Sequence, residues 1–264
     1  MATTSLSRRD FNVLEKIRDP EANPLTTILV DSTLPKDPNI TNADVYHRVS
    51  QKEREIVLAM QNLETQLAGS ELASTVDSFG AEYRRCVSRL GELISEHPNY
   101  ASARNNRAQA LRRLYGDAML LSGDGGPRGL LSDVGNAERR EAAELALADL
   151  DTAIKLLTPK SLFGAISPQA GKTLSLAHTQ RAAIYHMTSK SLNADRVVDV
   201  SGRKEATWAM IDFEEAASSD FALGGRYGND IAKGLAVSTN PTAKLCGQMV
   251  REAMKKEYGP AYAA

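Results

Sequence analysis

Four histidines, His47, His97, His178 and His186, are the side chains of this 264-residue chain best suited to hold a metal or carry a proton. They fall in different segments, and the pair sharing a helical stretch, His178 and His186, is eight residues apart. Eight residues are about two helical turns, too far along the axis for joint ligation. Cys86 and Cys246 have no CxxC or CxH partner, so neither a disulfide framework nor a zinc site is indicated, and both read as small buried hydrophobes. The loop GDGGPRG (123–129) has the glycines of a phosphate cradle, but no strand precedes it and no GK[ST] follows. Adjacent carboxylates such as Glu214 and Glu215 point to different sides of a helix and make no acid–base couple. No catalytic residue, metal or cofactor is therefore expected. A small helical enzyme or ligand-binding domain would need a convergent polar pocket that these spacings do not supply.

Composition narrows the partners. The chain is 42% hydrophobic and 25% charged, the balance of an ordinary globular protein. With 32 basic and 33 acidic residues the net charge is −1, so neither nucleic acid nor an anionic membrane is attracted in bulk, and neither is expected as a partner. Runs such as YRRCVSR (83–89) and AERREA (137–142) read as solvated helix faces. No apolar run reaches the roughly 18 residues of a membrane span, and the N-terminus lacks an apolar signal region. A cytoplasmic protein, or a nuclear one, is the expectation.

Helical periodicity runs through nearly the whole chain, and the alternation of a half-buried strand is almost absent. Helices are expected at about 43–68, 71–96, 101–121, 137–157, 168–190, 203–218, 221–236 and 241–257, after a lead-in kept extended by Pro20, Pro24, Pro35 and Pro38. Two stretches echo each other: ALADLDTAIKLL (146–157) and AMIDFEEAASSD (209–220). In each, a small residue, a large apolar one four places on and a small one three further share a helical face: Ala146, Leu150 and Ala153, then Ala209, Phe213 and Ala216. Cys86, Leu90 and Leu93 form a looser third set, running out at Pro98 as the first runs out at Pro159. Small residues let a neighbouring helix approach and the large one fills the gap. Partner helices precede two of the sets with their own echo, NNRAQAL (105–111) and TQRAAIY (179–185). Trp208 abuts the third set and is expected in the core.

Paired helices of this kind resemble the tetratricopeptide repeat, a helix–turn–helix of about 34 residues with small packing residues and a closing proline. Arg107 and Arg181 are 74 residues apart, so insertions are required, and SGDGGPRGLLSDVG (122–135) and NADRVVDVSG (193–202) supply them. The expected fold class is all-α: a right-handed superhelical array of three such pairs, about 43–98, 101–159 and 168–218, with capping C-terminal helices. An extended or partly helical segment (1–42), a repeat domain (43–236) and a capping helix with its tail (237–264) divide the chain.

A closer resemblance rests on VLEKIRDPEANPL (13–25), ASARNNRAQALRR (101–113) and NPTAKLCGQMV (240–250), which together look like the family of tetratricopeptide repeat protein 36. That resemblance implies a non-catalytic interaction protein, associated with Hsp70 binding and with tyrosine metabolism through protection of a pathway enzyme. Repeats that grip chaperone tails do so with lysines, asparagines and an arginine around a carboxylate. Asn106 matches one such asparagine, but Leu176 and Gln180 stand where the third repeat would carry Lys and Arg. In the first repeat Ala59 and Leu63 stand where Lys and Asn are required. A complete clamp is therefore not expected. The expected partner is a protein or peptide, with Hsp70 and a tyrosine-pathway enzyme the two classes implied, in a groove offering Asn105, Asn106, Gln109, Arg112 and Gln180.

Overall fold

The computed structural model describes residues 28–69, 76–123, 129–131, 134–161, 164–193 and 195–258. The N-terminal motif 13–25, part of the 1–42 segment, parts of both insertions and the tail from 259 lie outside them. Among the described residues there are eight α-helices and no strand, only isolated bridges, so the fold is all-α.

The helix ends explain the helices. Helix α1 (Ala43–Ala68) begins where the Asn42 side chain accepts the N–H groups of Asp44 and Val45, both at 3.0 Å. Helices α2 (Val76–Glu96) and α4 (Asn136–Leu157) stop short of Pro98 and Pro159. Helix α3 (Ala101–Tyr115) has no side-chain cap of its own; Asp37 in the lead-in accepts the Ala101 N–H instead. Ser167 caps α5 (Pro168–Ser191), with Pro168 in the first turn. After a 3₁₀ turn, Lys204–Thr207, come α6 (Met210–Arg226), α7 (Asp230–Thr239) and α8 (Pro241–Tyr258). Asn229 and Asn240 cap the last two.

Each helix packs on the next along the chain. In addition α1 meets α3 and α3 meets α5, so the first helices of the three pairs form one continuous wall, backed by α2, α4 and α6. Two core clusters lie behind that wall. One joins α1, α2 and α3 around Leu90 and Tyr100; the other joins α3 to α7 around Leu150, Leu174 and Phe213; Val87 and Tyr115 touch both.

Two helix boundaries and one burial differ from the sequence expectation. Helix α3 ends at Tyr115 rather than near 121, because Gly116 adopts φ 80° and the chain turns so that Asp117 can pair with Arg112. The expected break between 218 and 221 is absent, and α6 runs unbroken from Met210 to Arg226. Its Ser218, Ser219 and Asp220 favour turns in isolation, but Asp220 is drawn inward by Arg181 and Ser218 donates to the Ala236 carbonyl at 2.8 Å. The chain turns instead at Gly228, φ 99°. Finally, Cys86 is buried as expected but Cys246 is exposed, since α8 buries none of its residues and is held to α6 by the Lys244–Glu214 pair at 2.8 Å.

The insertions meet each other. Leu121 forms an antiparallel bridge with Val198, the Ser122 N–H donates to the Val197 carbonyl at 2.9 Å, and the Asp199 N–H donates to the Leu120 carbonyl at 2.8 Å. Further along the first insertion, the Leu130 and Leu131 N–H groups donate to the Arg113 and Leu114 carbonyls, both at 3.0 Å, satisfying the open end of α3. Only glycine fits at 129, where a Cβ would stand 2.1 Å from the Leu114 carbonyl oxygen.

Candidate functional site

The pairs are locked from behind by arginine–aspartate bonds. Arg107 on α3 holds Asp149 on α4 at 2.6 and 2.9 Å, with Arg104 adding a third bond at 3.0 Å. Arg181 on α5 holds Asp220 on α6 at 2.6 and 2.7 Å and reaches Asp151 at 2.6 Å. Asp220 therefore corresponds to Asp149, and the structural echo of Ala146, Leu150 and Ala153 is Ala217, Phe221 and Gly224. The register expected from the sequence lay eight residues too early. Phe213 is fully buried, but Ala209 is exposed at the N-terminus of α6 and Ala216 is only partly buried. The error has a simple origin: positions eight apart on a helix share a face, and both Phe213 and Phe221 lie on it. Gly224 replaces the expected alanine because a Cβ there would meet the Thr179 hydroxyl at 2.5 Å. Cys86, Leu90 and Leu93 of α2, like Ala146, Leu150 and Ala153 of α4, are all buried.

The histidines belong to this packing. Nδ1 of His178 lies 2.8 Å from Asp220, and His186 packs edge-on against Phe221. Burial pushes the Asp220 carboxyl up, but the bonds from Arg181 and His178 outweigh it and hold the group below the usual carboxylate range. Among the described residues no three His, Cys, Asp or Glu side chains are grouped as a metal site requires. Trp208 is partly buried, edge-on to Tyr185 and Phe213 at 5.3 and 5.1 Å.

The open face is the wall of α1, α3 and α5. Two adjoining cavities lie along it, of about 470 and 610 Å³, sharing Val57 and Gln61 of α1. The first is lined by Tyr46, Glu53, Arg54, Tyr100, Asn106 and Lys172, with Leu58 and Leu176 beside them. The second is lined by Met60, Glu64, Tyr83, Gln109, Arg112, Arg113 and Gly129.

All five residues expected to face the groove come from this wall, in different states. Asn105, Gln180 and Arg112 are chained together: Gln180 donates to the Asn105 side chain at 2.8 Å and accepts from Arg112 at 3.2 Å, while Arg112 also grips Asp117 at 2.7 and 3.0 Å. These bonds brace α3 against α5. Asn106 donates to Glu53 at 2.7 Å. Gln109 is exposed, and its carboxamide makes no hydrogen bond among the described residues. Leu176 lines the first cavity, whereas Ala59 and Leu63 pack toward the α1–α2 core, so the inward face of α1 is carried by Glu53, Val57 and Gln61 instead.

Glu53 was invisible as a site residue in the sequence. It sits on the cavity floor, accepting from the Tyr100 hydroxyl and from Asn106; burial pushes its carboxyl above the usual range despite those bonds. Glu64 at the other end is held low by hydrogen bonds from Arg113, at 2.6 and 3.1 Å. The signal available was the spacing of Glu53, Val57 and Gln61, four residues apart on α1, which places them on one stripe. What that stripe faces depends on contacts 47 and 53 residues away.

The arrangement offers a long polar groove with apolar patches, and its ionic groups are largely committed to one another. No helix of the described residues is long and apolar enough to cross a membrane. No family model and no solved structure matches the chain. Among curated proteins it is similar to the L-tyrosine degradation gene cluster protein hmgX of Aspergillus fumigatus, 33% identical over 256 residues, which span 96% of this chain and 93% of that protein. It is also similar to tetratricopeptide repeat protein 36 of Bos taurus, 27% identical over 70% of this chain and 66% of that one. The Xenopus tropicalis protein of the same name is 28% identical over 81% of this chain and 72% of its own length.

Proposed function

We propose that this chain, which belongs to the family of the L-tyrosine degradation gene cluster protein hmgX and is similar to tetratricopeptide repeat protein 36, is a non-catalytic adaptor that holds a protein partner in the groove of α1, α3 and α5. The partner is an enzyme of L-tyrosine degradation, and the adaptor acts by protecting it. The observation that carries the reading is the wall itself: its helices present two joined cavities, and Gln61 and Gln109 offer carboxamides there that make no hydrogen bond among the described residues. A carboxamide carries both donor and acceptor, as a peptide group does, and so suits an extended chain. The tie to tyrosine degradation rests on the similarity to hmgX over nearly the whole length of both proteins.

Purified enzymes of L-tyrosine degradation, titrated one at a time with the full chain, test this reading. One of them is expected to bind, with Gln109→Trp, which plugs the groove at an exposed position, abolishing the complex. Binding that survives Gln109→Trp, or no binding by any of the enzymes, overturns it. The Hsp70-associated alternative predicts that Hsp70, rather than a pathway enzyme, is the protein displaced by the same substitution.

A further inference from the structure

We propose that the segment held in this groove is an extended internal stretch of the partner bearing an acidic side chain beside apolar ones, the acid lying between Arg54 of α1 and Lys172 of α5. The inference rests on the groove reading above and adds the chemistry of the occupant. Arg54 and Lys172 line the same cavity from either side of α3, and neither makes an ion pair or hydrogen bond among the described residues. The other cations lining the two cavities are already matched, Arg112 by Asp117 at 2.7 Å and Arg113 by Glu64 at 2.6 Å. Two unmatched cations converging on one concavity attract an anion and repel a basic side chain.

The carboxylate on the floor does not reverse that preference. Glu53 is 7% exposed and both its oxygens already accept, one from Asn106 and one from Tyr100, so it presents little open carboxylate to a lysine or arginine of the partner. Burial also favours the uncharged form of Glu53. Beside the cations, Leu58 and Leu176 are 47% and 40% exposed, offering apolar surface to the residues flanking the acid. The cavity does not end at the cations: Val57 and Gln61 continue it into the second, where Gln109 stands. A chain laid across Arg54 and Lys172 therefore has somewhere to go, so its acid is a side chain rather than a terminal carboxylate.

The test uses the full chain and two acetylated, amidated decapeptides with the same leucines, one carrying glutamates and the other lysines in their place. Calorimetric titration is expected to show binding of the glutamate peptide alone, weakening as salt rises and falling at least tenfold in the Arg54→Ala/Lys172→Ala double variant. Equal binding of both peptides, an unchanged affinity in the double variant, or binding only when the peptide ends in a free carboxylate overturns the inference. Circular dichroism confirms that the double variant remains folded, as exposed positions allow. A pathway enzyme that is displaced by Gln109→Trp but held normally by the double variant would leave the groove reading standing and remove this one. An enzyme insensitive to both would remove the groove reading itself.

Discussion

Replacing Asp220 by Asn should expose how the third helix pair is held together. Asp220 is 4% exposed and anchors Arg181 through bonds of 2.6 and 2.7 Å and His178 through one of 2.8 Å. Neutralising one partner of a buried pair costs about 3–5 kcal/mol, because the other charge is left without compensation. Arg181 keeps its 2.6 Å bond to Asp151, so the lower end, about 3 kcal/mol, is expected. That is a large part of a total stability of roughly 5–15 kcal/mol. Urea unfolding followed by Trp208 fluorescence reports this region, since Trp208 packs on Tyr185 of α5 and Phe213 of α6. With a slope of about 3 kcal/mol per molar urea, the midpoint should fall by about 1 M. Acid should bring the two proteins together. The Asp220 carboxyl is held below its usual range, so its contribution is complete above an ordinary aspartate pKa of about 3.9 and is lost as pH falls through the lower folded value. Asp220→Asn removes that part of the acid limb. A variant with the parental midpoint at neutral pH and the parental acid transition would refute the role given to this pair.

Leu150→Ala and Phe221→Ala, truncations of equivalent fully or nearly fully buried residues, should each cost about 2–5 kcal/mol in the same urea assay. Gly225→Ala should destabilise by about 1–3 kcal/mol, since the new Cβ would stand 2.8 Å from Lys233 and force α7 away from α6; hydrogen exchange should quicken in α7 first. Glu53→Gln should flatten a slope of opposite sign to that of Asp220. Because the Glu53 carboxyl is raised, its folded form holds a proton that the unfolded form has lost, and stability falls as pH rises from the ordinary glutamate value through the raised one. Thermal melts of both proteins across that window check it.

What could be read from the sequence was whatever depends on neighbours along the chain. Asn42 and Ser167 mark helix starts through their own side chains, and Pro98 and Pro159 mark the ends, so α1, α4, α5 and α8 fall within one residue of their expected bounds. The break placed inside α6 shows the limit: Ser218, Ser219 and Asp220 are turn formers whose preference is overridden by Arg181, 39 residues away. The misplaced echo has a similar cause, since apolar periodicity identifies a face but not which of its turns meets the partner helix. Only the Arg107–Asp149 and Arg181–Asp220 pairs set that register. In the groove, Asn105, Arg112 and Gln180 were identifiable as polar residues on an inner face, yet their mutual bonding consumes them. Arg54 and Lys172 carried no signal, because an unmatched cation is recognisable only once the acids that fail to reach it have been placed.

Site-specific photo-crosslinking in cells offers the most direct check on the groove. A photoreactive residue at Gln109, which faces the second cavity, is compared with one at Met249 of α8, which is 62% exposed and lines neither cavity of the groove. The groove account predicts that an enzyme of L-tyrosine degradation is labelled from position 109 and not from position 249. Labelling of that enzyme from position 249 alone, or of no pathway enzyme from position 109, would contradict it.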